Sequence, residues 1–177
     1  MKMDTRVLIL LSLFIGIGTV LHLVMPGVLF GMKHDLQLAM MFLGILLFPK
    51  VQYVLVLSVA TGLLTALTTT MPGGQISNLI DKPITAFIFF GLYVLLSKGV
   101  KDVISAPVMT AIGTMISGAI FLSVALFILG VELGAGFGAL FASVVIPATI
   151  ANTIIIFVVY PILQSIMKRS TITLQKA

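Results

Sequence analysis

The sequence predicts an all-α membrane protein, a bundle of six transmembrane helices. Of its 177 residues 60% are hydrophobic and 8% are charged, and the mean hydropathy is +1.28. Apolar runs of about 20 residues recur along the chain, and such a run crosses the hydrocarbon of a bilayer as a helix. No serine- or proline-rich linker and no block of charge interrupts the chain, which indicates one integral membrane domain over residues 1–177.

Proline, glycine and charged residues divide the chain into six apolar segments. They are residues 7–25, 36–48, 51–70, 83–97, 106–130 and 137–166. The second is short, since a helix over 36–48 covers only about 20 Å. It must therefore either extend back through Phe30 and Met32 or be re-entrant. The first segment is long for a signal peptide and has no small-x-small cleavage site after it, so we interpret it as a retained span.

The basic residues indicate how the spans are oriented. Six spans with both termini cytoplasmic place Lys2, Arg6, Lys50, Lys98, Lys101, Lys168, Arg169 and Lys176 inside and Lys33 and Lys82 outside. This asymmetry follows the positive-inside rule, although a five-span arrangement satisfies the rule nearly as well. Pro49 favours six spans, because proline is well placed to open the next helix after a tight cytoplasmic turn.

Polar residues concentrate at 73–83, GGQISNLIDKP, which the six-span arrangement places in the external connection between spans three and four. Asn78, Asp81, Lys82 and Thr85 would form one stripe of a helix that begins near residue 78. Pro83 favours a helix start near 83 instead. Asp81 and Lys82 are either a hydrated loop pair or part of a binding site, since charge at membrane depth usually faces a wet cavity.

Other polar residues add candidates for a binding site at the external end. They are Lys33, Asp35, Gln75, Glu132 and, inside the last span, Asn152. Asn152 either bonds a neighbouring helix or reaches a ligand, and Pro147 predicts a bend in that span. His22 is interpreted as an interfacial hydrogen-bonding residue, because a metal site with His34 would lack a third assured ligand.

Small residues in the first span form a groove for another helix. Ser12 and Gly16 are four residues apart, a spacing that permits close helix approach either within the bundle or to a partner protein. A similar small face, with Thr110, Gly113, Thr114, Ser117 and Gly118, occurs in the fifth span.

The sequence argues against catalysis and against resident cofactors. It contains no cysteine, and it shows no activated nucleophile, acid pair or metal cluster. GAGFG at 134–138 follows no strand and nothing matches a Walker A motif, so neither dinucleotide nor ATP binding is indicated. The net charge of +5 is scattered between apolar segments, which indicates topology rather than nucleic-acid binding.

Two motifs resemble a known family. GMKHDLQLAMMFLGILLFPKVQ and GGQISNLIDKP, between Gly31 and Phe87, look like the tryptophan-type substrate-binding (S) components of energy-coupling factor (ECF) transporters, and the similarity covers nearly the whole chain. The resemblance implies a six-helix S-component fold in the bacterial plasma membrane. It also implies a partnership with a transmembrane T component and two ABC ATPases, which would power uptake that this chain has no ATP site to drive.

The resemblance also suggests roles for particular residues. The family's first-helix docking motif is usually Ala-x-x-x-Ala, and Ser12 and Gly16 stand at its positions. A zwitterionic tryptophan requires a cation for its carboxylate, a carboxylate for its ammonium and an acceptor for its indole N–H. The available members are Lys82 or Lys33, Asp81 or Glu132, and an amide of Asn78, Gln75 or Asn152. The favoured clamp is Asp81 with Lys82.

Alternatives are an S component for a vitamin-like aromatic substrate and a membrane scaffold that transports nothing. The start Met-Lys-Met-Asp counts against nickel or cobalt S components, which use Met-His.

Overall fold

The protein is a helical bundle. The computed structural model describes residues 3–27, 32–96 and 102–169, and Lys2, Phe30, Lys98, Lys101 and Lys176 of the predictions above lie outside these ranges. The helices are α1 (Thr5–Val24), α2 (Leu36–Leu47), α3 (Val51–Thr68), α4 (Gly74–Leu96), α5 (Asp102–Ser123), α6 (Phe137–Leu140) and α7 (Ile146–Lys168).

Five helical segments of the described ranges are long and apolar enough to cross a membrane, and the predicted helical-bundle class is confirmed. The first, third, fifth and sixth predicted segments agree with the observed helices to within a few residues at each end. The chain is therefore a multi-pass membrane protein, as its hydropathy predicts.

Helix α2 lies at the centre of the bundle. It packs against α1, α3, α4, α5 and α7, and all of its residues are buried, as expected for a helix that is apolar on every side apart from Gln37. Its 12 residues cover only about 18 Å. The helix does not extend back through Met32, because it begins after Asp35, whose carboxylate caps it by accepting a hydrogen bond from the Leu38 N–H (3.0 Å).

Helix α4 begins at Gly74, nine residues before the start that Pro83 suggests, so that part of the prediction is wrong. Pro83 lies inside the helix. Proline lacks an N–H and interrupts the bonding of one turn, but membrane helices tolerate it where neighbouring helices pack closely. Gly62 of α3 supplies such a contact, since a Cβ added there would lie 3.5 Å from the Asn78 carbonyl oxygen and 3.7 Å from Pro83 Cδ. The polar stretch is therefore helical and not an external loop.

Two π-helical turns flank the connection between α5 and α6. Val124–Ile128 continues α5, and Phe141–Val145 joins α6 to α7. The second π turn ends two residues before Pro147, which cannot donate the usual hydrogen bond to the preceding turn. Phe137–Lys168 is one continuous helical segment as a result.

Two apolar clusters position the site. The larger packs α2 against α1, α3, α4, α5 and α7, with Phe42 stacked on Phe89 at 4.0 Å between ring centroids. The smaller gathers Met32 and Met71 with side chains from the two π turns and their neighbours. A cavity opens beside this second cluster.

Candidate functional site

A cavity lies where α1 and α3 end and where α4 begins. Its lining comes from seven parts of the bundle, and none of the residues is on α3 itself. The residues are His22, Met32, Lys33, Asp35, Thr69, Met71, Asn78, Lys82, Thr114, Ser117, Gly118, Phe121, Leu122, Val144, Val145 and Ala148.

The lining divides by chemistry. Charged and polar groups come from the end of α1, the segment before α2, helix α4 and one face of α5, whereas apolar groups come from Met32, Met71, the end of α5 and the start of α7. The space open to the centres of water-sized molecules is about 80 Å³, several times the roughly 10–15 Å³ that one water requires. The cavity can therefore hold a ligand with a polar end and an apolar end.

Non-helical backbone forms part of the wall. Met32, Lys33 and Asp35 precede α2 and line the cavity. Irregular backbone at membrane depth occurs where it is enclosed by protein or lines a cavity, because lipid satisfies no N–H or carbonyl group. The shortness of α2 therefore has a structural reason: the chain before it enters the bundle as the cavity wall.

Lys82 lies between two carboxylates at the base of the cavity. Its ammonium contacts Asp35 and Asp81, the latter at 2.6 Å. The Ser117 hydroxyl donates to Asp81 Oδ2 (2.7 Å) and lies 3.4 Å from Lys82 Nζ. Thr85 donates to Asp81 Oδ1 at 2.6 Å. Paired and hydrogen-bonded in this way, the charges can remain ionised inside the bundle.

The spacing of four polar residues along α4 explains why this ion cluster lies inside the bundle. Asn78, Asp81, Lys82 and Thr85 all lie on the inward face, and each is at most 5% exposed. Lys82 lies eight residues past Gly74, about 12 Å along the helix. Asp81 and Lys82 are thus not a hydrated surface pair.

The Lys33 ammonium lies at the carboxyl ends of two helices. Its ammonium lies 3.4 Å from the carbonyl oxygens of His22 in α1 and Thr68 in α3. His22 Nδ1 shares a 2.8 Å hydrogen bond with Thr68 Oγ1. A cation is favourable at the carboxyl end of a helix, where carbonyl groups lack partners.

Two asparagines support the walls. Asn152 of α7 donates to the Asp35 carbonyl oxygen (3.3 Å) and to Thr114 Oγ1 (3.4 Å), and its contacts therefore join α7 to α5 and to the start of α2. It is not part of the cavity lining. Asn78, which does line the cavity, donates to the Gly74 carbonyl oxygen at 2.9 Å.

The other predicted residues lie elsewhere. Gln75 and Glu132 are exposed and do not line the cavity, and Asp81 is enclosed behind Lys82. The structure thus brings Lys33, Asp35, Asn78 and Lys82 to the cavity. Ser12 and Gly16 are on the outer surface of α1, far along the helix from its cavity end.

Sequence reasoning missed most of the apolar wall. Phe121, Leu122, Val144, Val145 and Ala148 carry no signal that separates them from lipid-facing residues. The small face on α5 was a usable signal, since it holds Thr114, Ser117 and Gly118. A Cβ at Gly118 would lie 2.4 Å from Val145 Cγ1, so glycine permits the close approach of α5 and the second π turn at the cavity.

Comparison with known proteins agrees with the resemblance seen in the sequence. The profile of the family described as "Tryptophan transporter TrpP" matches residues 4–168. A "Probable tryptophan transport protein" of Bacillus subtilis (strain 168) is 53% identical over 169 residues, covering 96% of each chain. Proteins with the same description from Clostridium acetobutylicum and Clostridium perfringens are 41% and 32% identical, covering 95% and 96% of this chain and 97% of each relative. No solved structure shows significant similarity. The chain therefore belongs to the tryptophan transporter TrpP family.

Proposed function

We propose that this protein binds tryptophan in the cavity described above and delivers it across the membrane. The observation that supports this most directly is the division of the cavity into a charged wall and an apolar wall. An amino acid with a large aromatic side chain has the same division, with an ammonium and a carboxylate at one end and an indole at the other.

The charges of the cavity suit a zwitterion. Lys33 and Lys82 contribute two positive charges, and Asp35 and Asp81 contribute two negative charges, so the four together are neutral. A buried site without net charge favours a ligand without net charge, because each unpaired charge at membrane depth is costly. This supports an amino acid over an organic acid or an amine.

The apolar wall of the cavity is suited to adapt to the shape of a bulky aromatic side chain. Met32 and Met71 are suited to this, since methionine is unbranched and adapts to irregular shapes. Both belong to the apolar cluster beside the cavity and lie outside the long helices. The cavity can widen there without displacing the ion cluster.

Direct binding tests the proposal. The protein contains no tryptophan, so the indole fluorescence of added tryptophan can be followed without a background from the protein. We expect saturable binding to purified protein in detergent. Ala148→Phe should abolish it by filling the cavity, whereas Ile150→Phe, a matched change at a residue 56% exposed on the same helix, should leave it intact. The absence of saturable binding to folded wild-type protein would refute the proposal.

Transport requires an energy source, and we propose that an ECF T component and two ABC ATPases supply it, as the family resemblance implies. Support comes from α1, whose outer surface includes Ser12 and Gly16. Among the residues that the structure describes, a Cβ added at Gly16 meets no neighbouring element within 4 Å, which supports a groove that the rest of the bundle does not fill. A partner helix could approach α1 closely there.

We further propose that both termini are cytoplasmic and that the cavity faces outward in the bacterial plasma membrane. Arg6, Lys50, Lys168 and Arg169 lie at the end of the bundle away from the cavity, since the Asp4 N–H donates to the Tyr53 hydroxyl (3.0 Å) and α7 runs from the cavity to Lys168. Basic residues favour the cytoplasmic side.

A single cysteine replacing Lys50 should therefore resist an impermeant external reagent in intact cells and react after permeabilisation. Labelling in intact cells would reverse the orientation.

A further inference from the structure

We propose that Asp35 binds the ammonium of the substrate and Lys33 binds its carboxylate, while Lys82 and Asp81 are positioning residues that hold Asp35 in place. This inference rests on the proposed function, that the cavity takes tryptophan. It differs from the assignment that the sequence favours, in which Asp81 and Lys82 form the clamp.

Asp81 is occupied by protein groups. Its side chain is fully buried. Oδ1 accepts from Thr85, and Oδ2 accepts from both Lys82 and Ser117. It does not line the cavity. A ligand could reach Asp81 only by displacing Lys82, which would leave a buried cation without its partner.

Lys82 is equally committed. An ammonium has three N–H donors and no acceptor, and three acceptors surround this one: a carboxylate oxygen of Asp35, Oδ2 of Asp81 and Oγ of Ser117. The residue is 2% exposed. Two of the Lys82 donors meet carboxylates, whereas Lys33 contacts only neutral oxygens, so Lys82 is the less available of the two lysines for a ligand.

Asp35 has capacity to spare. An ionised carboxylate offers about four acceptor positions, and the Leu38 N–H and Lys82 take two of them. Its side chain is 20% exposed, and it is the one carboxylate that lines the cavity within the described residues. Two carboxylates and one ammonium leave the group of Asp35, Lys82 and Asp81 with a net charge of −1, which attracts a cation.

Lys33 is free to exchange partners. Its ammonium makes only 3.4 Å contacts, both to neutral carbonyl oxygens, whereas a hydrogen bond between an ammonium and a carboxylate is shorter and stronger. The flexible lysine stem permits this change of partner. Lys33 and Asp35 lie two residues apart in one segment and both line the cavity. The ammonium and carboxylate of an α-amino acid share one carbon, so a carboxylate and a cation that line the same cavity can each meet one of them.

The test uses three indole ligands and purified full-length protein. Tryptophan has both charged groups, tryptamine lacks the carboxylate, and indole-3-propionate lacks the ammonium; all three can be followed by indole fluorescence. Asp35→Asn should weaken tryptophan and tryptamine binding by about 30-fold or more, the effect of losing one partner of a buried charged pair. It should leave indole-3-propionate within about threefold of wild type. Lys33→Met should do the reverse, weakening tryptophan and indole-3-propionate but not tryptamine.

Control variants distinguish the loss of a ligand contact from a disturbance of the fold. Asparagine also caps helices well, so Asp35→Asn keeps the start of α2, and Lys82 keeps Asp81 as its partner. Glu132→Gln removes an exposed carboxylate outside the cavity and should change nothing. Equal losses for all three ligands in Asp35→Asn would make Asp35 a purely structural residue, and near-normal tryptophan affinity would refute its role outright. Failure of wild-type protein to bind tryptophan would instead refute the proposed function.

Discussion

Replacing Lys82 with methionine should lower the free energy of unfolding by about 3–5 kcal/mol, the usual effect of removing one partner from a buried ion pair. The change leaves Asp35 and Asp81 without their shared cation, and Asp81 is fully buried, so water cannot compensate for the loss there. Methionine retains much of the volume of the lysine stem, which confines the loss to charge. Denaturant unfolding of the purified protein in detergent would measure it.

A second variant shows whether charge is responsible. Asp81→Asn combined with Lys82→Met removes one charge of each sign, so it should recover at least half of the lost stability. Lys33→Met, which removes a lysine with only long contacts to neutral groups, should cost less than about 1 kcal/mol. If Lys82→Met unfolds at the wild-type denaturant concentration, the ion cluster does not stabilise the bundle.

Replacing Gly16 with leucine should reduce tryptophan uptake by cells about tenfold or more while leaving tryptophan binding to the isolated protein unchanged. Gly16 is exposed on α1, and a side chain there would project away from the bundle. Leucine would fill the groove and keep a partner helix at a distance. A tenfold loss corresponds to about 1.4 kcal/mol of docking free energy.

Gly91 of α4 offers the matched control, because a Cβ added there also meets no neighbouring element within 4 Å in the described part of the chain. Gly91→Leu should leave both uptake and binding unchanged. Normal uptake by Gly16→Leu would remove the docking role of α1, and equal loss of binding and uptake would show that the substitution disturbs the bundle itself. Uptake and binding must therefore be measured on the same variants.

Much of the site was predictable, and particular residues show where prediction stopped. The i, i+3, i+4, i+7 spacing of Asn78, Asp81, Lys82 and Thr85 identified one face of a helix, and that face is buried. The predicted start of α4 was wrong because proline, considered with its sequence neighbours alone, is most favourable at the first position of a helix. In the folded bundle the close packing of Gly62 accommodates Pro83 in a helix interior.

The sequence by itself determined the class of the protein, its family and the bounds of most of its helices, because apolar length, punctuation and motifs are local properties of the chain. Only the tertiary structure decided which charged side chains contact each other. Asp35 and Lys82 are 47 positions apart, and Ser117 is a further 35 away. Their contacts depend on α2 lying at the centre of the bundle and on the chain before it entering as non-helical backbone. Hydropathy carries no information about such pairings. A charged residue in an apolar segment gives the same hydropathy value whether its side chain pairs with another residue or with a ligand.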